Sequence, residues 1–194
     1  MQLLDGTVCS QQIRQEISLE VEAIVAAGKR PPHLAAVLVG DDGASQNYVG
    51  MKVRDCEEVG FGSTTVRMKA STTEVELLAR IEELNTDDAI DGFIVQLPLP
   101  PQIDQNKVIL AIDPKKDVDG FHVVNAGLLA TGQDSLVPCT PYGCLLLLRG
   151  QLGSLSGLNA VVVGRSNIVG KPMAQLLLRE RCTCLLYTSP SPRD

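Results

Sequence analysis

The chain has 194 residues, 44% of them hydrophobic and 21% charged, with a net charge of -6. That length suffices for one large or two small domains with cores of their own, and the acidic balance disfavours nucleic acid or an anionic membrane surface as a main partner. No apolar run reaches the roughly 18 residues of a membrane span, and the start Met1-Gln-Leu-Leu-Asp-Gly6 has neither a secretory nor a mitochondrial targeting pattern, so the cytoplasm is the expected location.

Ile13, Ile17, Val21, Ile24 and Val25 recur at helical spacing and stop at Gly28. Leu34 to Val39 reads as a buried strand, closed by the turn Gly40-Asp-Asp-Gly43. Ser45 can cap a helix that runs to Val59 and stops at Gly60. Thr64 to Met68 reads as a strand. Ser71 with Glu74, or Thr73 with Glu76, forms a capping box for a helix to Leu84. Gly92 to Leu97 is a further strand, closed by Pro98, Pro100 and Pro101, and Val108 to Ile112 a short helix before Pro114. This alternation predicts a parallel sheet covered by helices.

Thr140-Pro141 reads as an N-cap followed by a first-turn proline, opening a helix that ends near Gly150. Gly150 to Gly157, rich in glycine and serine, reads as a linker. Val161 to Val163 is then a strand that ends in Gly164, with Gly170 after it and a helix from Pro172 to Arg179. Strand, glycine turn and helix in that order form a phosphate cradle. The six cysteines are scattered and Cys182 and Cys184 lack a zinc spacing, so all six read as ordinary thiols. With only His33 and His122 to draw on, no metal site is expected.

Four groups stand out chemically. Tyr48 and Lys52, four apart on a helix, share a face, and the pair is either a proton-handling site or a solvated lysine beside a packed ring. Gln96 ends a strand at the carboxyl edge of the expected sheet, as a ligand-binding amide or a simple end cap. Lys115-Lys-Asp-Val-Asp-Gly120 is a solvated turn, a weak calcium loop, or a carboxylate placed for a guanidine-like pair of N–H groups. Gly164-Arg-Ser166 through Gly170 lacks the full G-x-G-x-x-G spacing and is a phosphate loop or a plain turn.

In this order, Tyr48-Val-Gly-Met-Lys52, Val95-Gln-Leu-Pro-Leu-Pro100, Lys116-Asp-Val-Asp-Gly120, Pro138-Cys-Thr-Pro-Tyr-Gly143 and Gly164-Arg-Ser-Asn-Ile-Val-Gly-Lys-Pro172 resemble the bifunctional methylenetetrahydrofolate dehydrogenase/methenyltetrahydrofolate cyclohydrolase family, from about residue 2 to residue 179. The resemblance implies an α/β fold: an N-terminal parallel-sheet catalytic domain over 1–150, then a truncated Rossmann-like nucleotide-binding domain over 151–184. It implies oxidation of 5,10-methylenetetrahydrofolate with NADP and hydrolysis of the product to 10-formyltetrahydrofolate. Lys52 is then the central catalytic residue, Tyr48 packs on the folate and places Lys52, Gln96 bonds both Lys52 and the ligand, and Asp119 accepts from the pterin. Val49, Gly50, Met51, Val95 and Leu97 line the substrate; Gly164, Arg165, Ser166, Ile168, Gly170 and Pro172 line the cofactor. Tetrahydrofolate derivatives are the implied partners, with a homodimer for the full-length family member.

The family pattern continues into further strands, whereas Arg181 onward has no clear period and ends in a Ser/Pro tract. Residues 185–194 are therefore expected to be a non-native tail, and residues 160–194 poorly ordered, with Val161 to Val163 and Leu176 to Leu178 exposed. The alternative function is a non-catalytic, folate-binding fragment.

Overall fold

A computed structural model describes residues 4–188. They form two compact units, one of residues 7–117 and one of residues 118–188 together with residues 4–6. The division lies at Asp117/Val118, not at the Gly/Ser-rich stretch after residue 150. Its cause is packing: Leu129 and Leu145 bury against Leu176 and Leu177 in one core, so the segment read as the end of the first domain belongs with the second.

In the unit of residues 7–117, α1 (Gly6–Ala26) leads to β1 (His33–Val39), α2 (Gly43–Val59), β2 (Gly62–Met68), α3 (Glu74–Thr86), β3 (Gly92–Val95) and α4 (Gln105–Ala111). The strands are parallel in the order β2-β1-β3, with Val37 opposite both Val66 and Val95. β1 is central, which explains its continuous apolar run: Ala35 to Val39 are all buried. The connections β1–β2 and β2–β3 run in opposite directions across the sheet. Right-handed crossovers then place α2 and α3 on opposite faces. Strand alternation agrees. Ala35, Val37, Val39, Phe93 and Val95 pack with Leu77, Ile81 and Val108 under α3 and α4. Ala36, Leu38 and Ile94 point to the other face, where α2 buries Val49, Cys56 and Val59. Arg14 on α1 ties to Glu58 on α2 at 3.0 Å.

The caps refine the expected helix starts. α3 carries the Thr73/Glu76 box, with Thr73 N donating to Glu76 Oε2 at 2.8 Å and Glu76 N to Thr73 Oγ1 at 3.3 Å. Glu74 instead accepts from Asp104 N at 2.9 Å and Lys107 Nζ at 2.8 Å. α2 is capped by Asp42, whose carboxylate accepts from Ser45 N at 2.7 Å; Ser45, the expected cap, is buried inside the helix.

At the amino edge of the sheet, Arg30 grips Asp91 with Nη1 at 2.6 Å and Nη2 at 3.0 Å, and His33 N donates to Asp91 at 2.8 Å. The Arg30 hydrogen bond holds the Asp91 carboxyl below its ordinary range. A depressed folded-state value stabilises the fold above the unfolded carboxylate value, near pH about 4, and that contribution is lost as pH falls further. Asp91→Asn is therefore expected to cost stability at neutral pH, with the gap from wild type closing as pH drops below about 4. Urea unfolding across that range measures it; a gap independent of pH would contradict the assignment.

The other unit holds α5 (Val123–Ala130), α6 (Cys139–Leu152), β4 (Asn159–Val163), α7 (Gly170–Arg179) and β5 (Thr183–Tyr187). α6 and α7 each start two residues before the expected position, with Pro141 and Pro172 in their first turns. A proline fits there because first-turn N–H groups have no intrahelical partner. Thr140 is consequently a first-turn residue, and α6 has no side-chain cap. α6 also runs through Gly150 and ends at Gly153, φ 68°.

β4 and β5 pair in parallel, Val161 opposite Leu185 and Val163 opposite Tyr187, with α7 as the crossover. This corrects two expectations. Leu185 to Tyr187 belong to a strand rather than to a tail, and residues 160–188 form a β-α-β unit; residues 189–194 lie outside the described residues. The driving term is burial. Leu176, Leu177 and Met173 of α7 pack with Leu129, Leu145 and Leu155, with Ala160 and Val162 of β4 against them. Of the residues expected to be exposed, Val161, Val163 and Leu178 are; Leu185, Leu186 and Tyr187 of β5 are exposed as well.

Candidate functional site

The order β2-β1-β3 makes the carboxyl ends of β1 and β3 a topological switch point, where connections leave in opposite directions and loops splay apart. The loop after β1 runs from Gly40, at φ 91°, to the Asp42 cap of α2. The loop after β3 begins at Gln96, whose N–H still donates to Val37 O at 2.9 Å, and passes through a cis Leu97-Pro98 bond. Val95 packs into the α3 face, so Gln96, next along an extended chain, is directed to the α2 face. α2 carries Tyr48 and Lys52 one turn apart. Chain topology thus puts these three residues on one side of the sheet.

Their surroundings differ. Tyr48 is 59% exposed and Met51 50%, whereas Lys52 and Gly50 are half-buried. Val49 and Val95 are core residues, below 6% exposed, so their side chains serve packing. The Gln96 amide donates to Leu97 O at 2.8 Å; the bond expected from it to Lys52 is not formed among the described residues. The loop is anchored further on by Gln102, whose Nε2 donates to Ala70 O at 2.7 Å and Thr72 O at 3.0 Å. Sequence reasoning missed Gln102, because both its partners lie about thirty positions away and leave no local signal.

Lys116-Asp-Val-Asp-Gly120 is not a solvated turn. Phe93 N donates to Lys116 O at 2.9 Å, and Asp117, 1% exposed, sits opposite Phe93 along the edge of β3. Asp119 is half-buried and follows the division between the units. Gly120 has φ 67°, and a Cβ there would meet the Val137 carbonyl carbon at 2.8 Å, so only glycine fits. Among the described residues, no three His, Cys, Asp or Glu side chains group as a metal site, and no helix is long and apolar enough to cross a membrane.

The turn after β4 needs both its glycines. Gly164 has φ 119°, and a Cβ on Gly170 would overlap the Gly164 carbonyl and come within 2.9 Å of Arg165 N. The gap between them is filled by Ser166, whose Oγ accepts from Val169 N at 3.2 Å and Gly170 N at 3.3 Å. Lys171 Nζ donates to Asn167 Oδ1 at 2.7 Å. Arg165 and Ile168 are exposed, while Pro172 is buried beneath the turn. A backbone turn this close to a helix N-terminus, with an exposed arginine directly after the strand, is chemically suited to a nucleotide phosphate.

Residues 4–119 match the family model described as tetrahydrofolate dehydrogenase/cyclohydrolase, catalytic domain, and residues 138–193 match its NAD(P)-binding domain. The bifunctional protein FolD of Rhodospirillum rubrum is 55% identical over 193 residues, covering 97% of this chain and 65% of that protein. The FolD methylenetetrahydrofolate dehydrogenase/cyclohydrolase of Campylobacter jejuni superposes with a TM-score of 0.94 at 41% identity, over 99% of this chain and 68% of that one. The Trypanosoma brucei enzyme, solved with NADP cofactor and an inhibitor, superposes with a TM-score of 0.90 at 34% identity, over 97% of this chain and 64% of that one. The switch-point residues fall inside the catalytic-domain match and the two-glycine turn inside the nucleotide-domain match, so the chain belongs to the tetrahydrofolate dehydrogenase/cyclohydrolase family.

Proposed function

We propose that the chain binds 5,10-methylenetetrahydrofolate and NADP, oxidises the folate to the 5,10-methenyl form and hydrolyses that to 10-formyltetrahydrofolate. The observation that carries the reading is the placement of Tyr48, Lys52 and Gln96 on the α2 side of the β1/β3 switch point. The Gly164 to Gly170 turn fits NADP, because its paired glycines let the end of β4 pack against the start of α7, and Arg165 offers a guanidinium for a ribose phosphate. NADP, when bound, supplies the acceptor for the hydride that leaves the methylene carbon.

The chain's own residues do the rest. Asp119 accepts two N–H groups of the pterin, which fixes the ring's rotation. Tyr48, largely exposed, gives its face to the ligand, and Gln96 gives an amide that both donates and accepts. In the hydrolysis, water adds to the cationic methenyl carbon, one carbon–nitrogen bond opens and the released nitrogen takes one of the water's protons, while the other leaves to solvent as the carbinol oxygen becomes the formyl carbonyl. Lys52 Nζ takes the proton from the adding water and returns it to that nitrogen, with Tyr48 one turn earlier limiting the rotamers of its stem. The same reading makes this a cytoplasmic protein that pairs with a second copy through its nucleotide-binding unit.

The test is formation of reduced nicotinamide from 5,10-methylenetetrahydrofolate and NADP by the purified chain, followed by absorbance. Turnover that disappears in Lys52→Ala is the expected result. Absent turnover with tetrahydrofolate binding lost in Asp119→Ala would leave a folate-binding protein without the chemistry. Binding unaffected by either substitution would refute the site.

A further inference from the structure

Lys116 opens the Lys116-Asp-Val-Asp-Gly120 segment, yet the proposed chemistry makes no use of its ammonium. Its Nζ donates to Leu84 O at 2.9 Å and to Asp87 O at 2.8 Å. Leu84 O is one of the last-turn carbonyls that an α-helix leaves without a partner, and Asp87 is the cap residue that follows. α3 has no basic residue of its own in that turn, and its cap residue Asp87 is extended rather than left-handed. Lys116 thus supplies, from thirty residues on, the cation that a helix C-terminus favours.

The neighbouring residue of α3 works on the same segment. Asn85 Nδ2 donates to Ala111 O at 2.8 Å, and Asn85 Oδ1 accepts from Asp113 N at 2.8 Å. Inside the segment, Lys116 N donates to Asp113 O at 2.8 Å and Lys115 N to Asp113 Oδ1 at 2.9 Å. The backbone of Lys116 is also the acceptor for Phe93 N at 2.9 Å, beside the bridge from Phe93 to Asp117. Residues 111–117 are therefore stitched to two well-buried parts of the unit, the α3 end at Leu84 (3% exposed) and β3 at Phe93 (0% exposed).

We infer that Lys116 and Asn85 are positioning residues for Asp119. They fix the path of the chain immediately before that carboxylate, and so set its place for the pterin; the inference rests on the folate reading above. Neither residue touches the ligand. A lysine that met the ligand directly would add its own, independent share of affinity, and this separates the two roles by experiment.

The experiment is a double-mutant cycle on tetrahydrofolate affinity, measured by calorimetry with the 194-residue chain. Lys116→Met and Asn85→Ala are each expected to weaken binding about tenfold, within the range of coupling seen between residues that share partners. Lys116→Arg, which can still donate to both carbonyls, recovers most of that loss. With Asp119→Ala already present, Lys116→Met is expected to cost less than about twofold more, because the residue it positions is gone. Additive losses, or wild-type affinity in Lys116→Met, would overturn the inference. If Lys116→Met fails to fold, Asn85→Ala carries the same cycle with the helix cap intact. A wild-type chain that binds no tetrahydrofolate, or an Asp119→Ala chain that binds it fully, refutes the folate reading itself and the inference with it. That result is distinct from wild-type binding with a silent Lys116→Met.

Discussion

Lys52→Met is expected to lower hydrolysis of 5,10-methenyltetrahydrofolate by about 10² to 10⁴-fold, the usual contribution of a positioned proton carrier. The substitution isolates the terminal amine. Methionine keeps a long unbranched stem and nearly the helix propensity of lysine, so α2 should fold as before. Lys52 is half-buried, and the buried row of α2 beside it, Ser45, Val49, Cys56 and Val59, does not depend on its charge. Folate affinity should change far less than turnover, since the proposed site holds the pterin through groups other than Lys52. Loss of methenyl absorbance measures the reaction, and circular dichroism on heating checks the fold. Turnover within about threefold of wild type, with the fold intact, would remove Lys52 from the proton path.

Gly170→Ala is expected to destabilise the unit that carries the nucleotide turn by about 1–3 kcal/mol and to abolish NADP binding. The added Cβ would overlap the Gly164 carbonyl, which is backbone and cannot rotate away as a flexible side chain could. Relief requires the turn to open, and opening it separates Ser166 Oγ from the N–H groups of Val169 and Gly170. Gly127 is the control. It lies within α5 with nothing within 4 Å of a built Cβ, so Gly127→Ala should be neutral or stabilise by up to about 1 kcal/mol through helix propensity alone. Urea unfolding followed by circular dichroism compares the two, and NADP titration reads the turn. A Gly170→Ala chain with unchanged stability and NADP affinity would show that the close approach is not obligatory.

The parts of the fold that could be read from sequence were those whose signals are local. The apolar run Leu34 to Val39, bounded by Pro31-Pro32 and the Gly40 turn, reads as a strand buried on both faces, and β1 is the central strand. Thr73 with Glu76 forms the capping box that its spacing implies. The errors lie where an unusual residue caps a helix or where distant partners decide. α5 has no Ser, Thr, Asp or Asn before it; its cap is the His122 ring, whose Nδ1 accepts from Val124 N at 3.1 Å. β5 is a short apolar run without alternation, and such runs acquire a secondary structure only from a neighbour, here β4. The glycines after residue 150 resembled a linker, whereas the units divide beside the buried Asp117. At the site, Tyr48, Lys52, Gln96 and the two-glycine turn stood out by residue type. Gln102, Asn85 and the ammonium of Lys116 did not, since each acts on backbone carbonyls or N–H groups some thirty positions away.

The parity of β3 constrains how this part of the chain can vary. Val95 faces the α3 core and Gln96 the opposite side, and they are consecutive in an extended strand of which Gly92–Val95 are the paired residues. A side-chain period of two means that losing or gaining one residue there exchanges the faces. An amide would enter the core beside Leu77 and Ile81, and a valine would take its place at the switch point. Descendants of this sequence can therefore exchange residues in β3 but cannot change its length by one. Insertions and deletions are tolerable only beyond Pro98, where the chain has left the sheet.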